Sequence, residues 1–157
     1  MMAASTHFDT VIRGTAASIE DWQRAMEAPT KELPRLTEEQ LAFVKMFGIS
    51  KDEYARGVLA EQYSEQRLRS RSAKLGSYVQ SILDSIAPGT KLLSVVAELS
   101  ELRWVLRVET GDHRLVTVLV PRALGDDVID SFASEVVQEL EARLRAGLSS
   151  PYSSAGE

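Results

Sequence analysis

The sequence predicts an α+β fold: a helical N-terminal half, then a three-stranded antiparallel meander and a long C-terminal helix. Three observations predict it. Helix caps and stops over 35–57, with apolar residues at helical spacing over 19–26 and 75–86, mark the first half as helical. Three segments rich in β-branched and aromatic residues then follow between 92 and 120. Helical spacing returns after Asp126 and persists to Arg145.

The elements can be justified in chain order. Residues 1–34 read as a flexible arm: positions 1–15 carry no clear period, and Pro29 and Pro34 punctuate a linker over 28–34. Within the arm, Ser18 opens a short amphipathic helix that sets Ile19, Trp22 and Met26 on one face. A single domain over 35–146 follows. It opens with a helical hairpin over 37–70. Thr37 and Gln40 spell a capping box, flanked by a Leu36–Leu41 staple. Gly48 suits the left-handed residue that ends the helix. Ser50 and Glu53 repeat the box for the next helix, with Ile49 and Tyr54 as its staple.

That second helix has no proline before Ile86, but its middle, "EQRLRSRSAK", is polar on most sides. A break or bend near Ser70–Ala73 is therefore expected. Beyond it, Leu75, Tyr78, Val79, Ile82, Leu83 and Ile86 form an apolar stripe, which "APGTK" ends. The expected αβββα core spans 72–146. Its strands are 92–99, 102–109 and 114–120, joined at Ser100-Glu101 and by a hairpin turn over 110–113. In the second, Leu102, Trp104, Leu106 and Val108 alternate with Arg103, Arg107 and Glu109. The last helix, 126–145, buries Val128, Ile129, Phe132, Val136, Val137, Leu140 and Leu144. Residues 147–157 read as a disordered tail.

Composition narrows the function. The chain has 157 residues, 44% apolar and 26% charged, which suits one globular domain plus an arm that needs no metal or disulfide to fold. A net charge of −5 argues against general affinity for nucleic acid or anionic membranes. The absence of cysteine excludes disulfides, thiolate zinc sites and cysteine nucleophiles. No secretory signal or membrane span is expected, so the chain is assigned to the cytoplasm.

Catalytic signals are sparse. His7 and His113 lack helical metal-site spacing, and no phosphate loop, dinucleotide fingerprint or nucleophile elbow is present. Glu98, Glu101 and Glu109 flank the first hairpin and read as its wet side. No enzymatic activity, cofactor or metal is expected.

Binding signals are richer. In the third strand, Val116, Val118 and Val120 alternate with Leu115 and Leu119, so the strand is apolar on both faces and sits at a sheet edge. A cover for Val116 and Val118 is expected from the helical hairpin, the N-terminal arm or a second copy of the chain, and either this face or the Trp22 and Met26 face of the arm is expected to bind a partner. Arg67, Arg71 and Lys74 share a helix face, with Arg69 beside it, and could hold phosphate or an acidic protein surface. The acids of the last helix, Asp126, Asp127 and Asp130 first, could pair with this stripe across a dimer.

Two resemblances add to this. The helix–three strands–helix order is similar to a double-stranded RNA-binding domain. That family implies lysines at the start of the last helix, and "GDDVID" stands there instead, which would repel RNA. "LTEEQLAFVKMFGISKDEYARG", residues 36–57, resembles a helical-hairpin segment of phage and prophage capsid-assembly proteins of the scaffold type. It implies an assembly role and carries over no catalytic residue. A helix-turn-helix reading of the same hairpin fails on Asp52 and Glu53, which would face DNA. The expectation is thus a non-enzymatic protein-interaction or assembly module, partnered by itself as a homodimer or by another protein. Nucleic-acid association through the basic stripe is the alternative.

Overall fold

A computed structural model describes residues 8–13 and 18–149. The expected disordered tail lies mostly outside them, as does His7. The elements are β1 (Asp9–Arg13), α1 (Ile19–Glu27), a 3-10 turn (Thr30–Glu32), α2 (Glu38–Phe47), α3 (Lys51–Ile86), β2 (Lys91–Glu98), β3 (Arg103–Glu109), β4 (Leu115–Pro121), α4 (Arg122–Ser131) and α5 (Ser134–Ser149). The chain divides into two compact units, one of Met1–Gly14 with Leu68–Glu157 and one of Thr15–Arg67. Among the described residues no helix is long and apolar enough to cross a membrane.

The α+β class holds, but the sheet is mixed and four-stranded in the order β1-β2-β3-β4. The expected antiparallel meander is β2-β3-β4; β1 adds to it in parallel, Val11 opposite Val96. β1 escaped the sequence reading because its five residues carry little pattern and their partner lies far along the chain. Parallel strands require such a long crossover.

One face of the sheet is the core. Val95 and Ala97 of β2, Trp104, Leu106 and Val108 of β3, and Val116, Val118 and Val120 of β4 are all buried on it. They meet Leu75, Val79, Ile82 and Leu83 of α3, Val128 and Ile129 of α4, and Leu140 and Leu144 of α5. Leu102, expected in the β3 row, instead sits in the preceding turn with φ of 51° and is exposed. Two glycines let the layers close. A Cβ on Gly125 would lie 2.4 Å from Trp104 Cδ1, and one on Gly147 would lie 2.7 Å from Val118 Cγ2.

The C-terminal helix is two helices. Phe132 ends α4 in the left-handed conformation, φ 46°, with its N–H donating to the Val128 carbonyl, and packs 4.2 Å from the Tyr78 ring. The expected break in α3 is absent: the helix is continuous from Lys51 to Ile86. Its polar middle hides a buried stripe, because Ser64, Leu68 and Ser72 are enclosed at helical spacing while the arginines and lysine point elsewhere.

A buried glutamine fastens the end of α3 to the sheet. Gln80 Nε2 donates to the Thr90 carbonyl at 3.1 Å and to Asp84 Oδ1 at 2.9 Å, while its Oε1 accepts the Leu92 N–H at 2.8 Å. The Thr90 carbonyl and the Leu92 N–H, both on buried residues, are thereby satisfied.

Candidate protein-binding groove

The unit Thr15–Arg67 is built from α1, α2 and the first part of α3. Its local grammar is as expected at Thr37 and at Gly48. Thr37 Oγ1 accepts the Gln40 N–H at 3.1 Å, and Gln40 Oε1 accepts the Thr37 N–H at 2.8 Å. Gly48 ends α2 at φ 65°. The Glu53 N–H reaches Ser50 Oγ at 3.5 Å, a long contact.

α1 has a box of its own, Ser18 with Asp21. The helix is only nine residues long, too short to hold in isolation, so its position depends on tertiary ties. At its N-terminal end, Asp21 accepts from Arg67 Nη1 at 3.1 Å. At its C-terminal end, Arg56 Nη1 donates to the carbonyls of Ala25, Met26 and Ala28 at 2.9, 3.0 and 2.8 Å. These are the carbonyls a helix end leaves open, and a cation there also suits the helix dipole. Between the two arginines, Ala25 and Ala28 are buried with Leu59 and Ala60, and Leu33 and Tyr63 pack against them. Arg24 lies over the Tyr63 ring, 3.9 Å from its centroid.

Burial would raise the Asp21 carboxyl. The Ser18 backbone and hydroxyl hydrogen bonds, the Arg67 charge and the Ser64 hydroxyl outweigh it and hold the group below the ordinary carboxylate value.

With α1 so fixed, Trp22 and Met26 border an open groove of about 460 Å³ whose other wall is Ile49, Tyr54 and Val58, with Glu53 and Glu61 at its sides and Gly57 in its floor. The Trp22 ring lies over Gly57: a Cβ there would stand 3.1 Å from the indole. Trp22 and Met26 remain 43% and 54% exposed. The apolar surface continues onto α2, since Tyr54 touches Phe43, whose ring packs 4.6 Å from Phe47. Phe43, Met46 and Phe47 are all exposed. Within the lining the only charges are two carboxylates.

The residues singled out in the sequence are distributed as follows. Trp22 and Met26 are brought together at the groove. Val116 and Val118 are not at a surface at all: they are 2% and 4% exposed, facing the chain's own core, because the alternation of β4 points them at α5. The cover expected for them is provided within the chain. The basic stripe is divided between the units and partly neutralised. Arg67 serves α1, and Arg71 donates to Asp130 at 3.0 Å and to Asp126 at 3.1 Å. The pairing of basic stripe and acidic helix, expected across a dimer, is thus made inside one chain. Hydrogen bonds from Arg71 lower the Asp130 carboxyl, and those with Asp130 chiefly raise the Arg71 guanidinium. Arg69 and Lys74 are exposed.

Sequence reasoning missed Arg56, Gly57, Val58 and Glu61. Gly57 carried a usable signal, because glycine inside a helix disfavours it by about 1 kcal/mol relative to alanine and so marks a close approach. Arg56 carried none, since its acceptors are backbone carbonyls 28 to 31 residues upstream. No protein-family model, curated protein or solved structure matches this chain.

Proposed function

We propose that the chain is a non-enzymatic protein-interaction module whose helical unit receives an amphipathic helix of a partner protein in the Trp22–Met26 groove. The single observation that carries this reading is the groove itself: an open apolar channel between two helices, held ready by Arg56 and Arg67 and left uncovered within its unit. Helix-in-groove recognition uses such a channel, with anchors spaced at three and four residues. Aromatic and methionine side chains are those enriched at interface centres. Glu53 and Glu61 select a helix with lysine or arginine flanking its apolar stripe, by charge complementarity. The lining offers hydrocarbon, rings and two like charges, but no imidazole, thiol or cation to pair with them for catalysis. The resemblance of residues 36–57 to capsid-assembly segments agrees with a role in assembly. The nucleic-acid alternative gains no support from Arg67 and Arg71, which spend their hydrogen bonds on Asp21, Asp126 and Asp130.

Two fluorescent 14-residue amphipathic peptides, one with leucines flanked by lysines and one with the lysines replaced by glutamates, test the reading by anisotropy. The basic peptide is expected to bind saturably and to lose at least tenfold in affinity to Met26→Asp, about 1.4 kcal/mol. Equal binding of both peptides, or no effect of Met26→Asp, would contradict it.

A further inference from the structure

The sheet has two edges, and they are protected differently. β1 is short and carries Asp9 and Arg13 at its ends, both exposed. β4 reads Leu-Val-Thr-Val-Leu-Val-Pro and carries no charge. Uncharged edges of this length invite pairing with another strand, which is why charged residues usually guard them.

The phase of the ladder shows which backbone groups of β4 face away from β3, where no described residue pairs with them. The Arg122 N–H donates to the Leu102 carbonyl, and the Thr110 N–H donates to the Arg114 carbonyl. Hydrogen-bonded pairs alternate along an antiparallel ladder. The even-numbered residues of β4 therefore bond to β3, and Leu115, Thr117 and Leu119 turn their N–H and C=O groups away from it. Pro121 brings a carbonyl only and ends the series.

This open series is complementary to itself. Placed antiparallel to a copy about Thr117, it pairs Thr117 with Thr117 and Leu115 with Leu119, and every such pair can exchange both of its hydrogen bonds. Leucine meets leucine and threonine meets threonine, the like pairings that stabilise cross-strand contacts. The outer face gains as well. Val11, Val96, Val105 and Leu119 form one apolar row across the four strands. Leu119, 48% exposed at the end of that row, would be met by Leu115 of the copy.

We propose that β4 pairs with the β4 of a second copy, two-fold about Thr117, so that two sheets become one. The inference rests on the reading of the chain as an assembly module, but uses a different surface from the groove. The interface is isologous and closes at two copies.

The chain has no cysteine, so an introduced thiol is the only one present. In the proposed pair the two Thr117 Cα atoms lie about 5.5 Å apart, within disulfide range. The two Leu119 Cα atoms, offset by four residues along the strands and by the spacing between them, lie about 14–15 Å apart, beyond it. Thr117→Cys is expected to form a reducible dimer on mild oxidation, and Leu119→Cys to stay uncrosslinked. By sedimentation the unmodified chain is expected at twice the mass of one chain. Thr117→Pro, which removes an N–H that β3 does not use, is expected at the mass of one chain with unchanged circular dichroism. A single-chain mass for the unmodified protein at high micromolar concentration overturns the proposal. So does crosslinking of Leu119→Cys as strong as that of Thr117→Cys. A dimer abolished by Met26→Asp but retained in Thr117→Pro also overturns it, by moving the second copy to the groove. A dimer that survives while the basic peptide fails to bind would instead remove only the groove reading.

Discussion

Gln80 shows how much one side chain can carry. Its amide satisfies the Leu92 N–H and the Thr90 carbonyl, both on buried residues. Gln80→Leu keeps roughly the same volume and leaves both groups without a partner. Each orphaned group is worth about 1–3 kcal/mol, so a loss of that order or more is expected in chemical denaturation. Asp21 and Asp130 contribute to the acid response. Both carboxyls lie below their ordinary value in the folded chain, Asp21 against the opposing effect of burial and Asp130 mainly through Arg71. As pH falls the unfolded chain takes up these protons first. Stability from the two groups is therefore complete above about pH 5 and lost as pH drops below about 4, through the folded values. Thermal melts across that range should show the decline, and Asp21→Asn should flatten part of it.

At the scale of elements, what was legible depended on whether the cause was local. The box at Thr37, the helix start at Ser18 and the stop at Gly48 were readable because a cap is decided within four residues. The pairing of β1 was not, since nothing in "DTVIR" names β2 as its partner. α3 was misread in its middle because two of its buried positions are serines, which pattern reading counts as polar. The Ser72 hydroxyl is buried and has no hydrogen-bond partner among the described residues. Ser72→Ala removes that unpaired group and improves helix propensity, so a gain of about 0.5–1 kcal/mol is expected in the unfolding free energy. An unchanged or lower midpoint would mean that the hydroxyl has a partner. The division of the C-terminal helix was hidden for a different reason. Phe132 fits the apolar stripe of a continuous helix, yet its backbone turns left-handed and its ring packs on Tyr78. Half of the candidate site was likewise visible. Trp22 and Met26 follow from helical spacing, whereas Val58 and Glu61 join them only because Arg56 and Arg67 lay α1 along α3.

At the scale of the molecule, the chain places its charged pairs and its bare apolar surface in different roles. Arg67 and Arg71 act inside the units as fasteners, and Val116 and Val118 belong to the core. Trp22, Met26, Phe43, Met46 and Phe47 remain outside. Trp22 and Met26 line the groove, and it is on this exposed apolar surface that the proposed partner helix would dock. The two tryptophans allow this to be tested within one spectrum, because Trp104 is 1% exposed and Trp22 is 43% exposed. A 15N-labelled sample gives two indole N–H signals, and the lysine-flanked amphipathic peptide should shift the Trp22 signal while leaving that of Trp104 in place. A Trp22 signal that stays fixed at saturating peptide, or an equal shift of both indoles, would contradict the assignment of the groove as the partner-binding site.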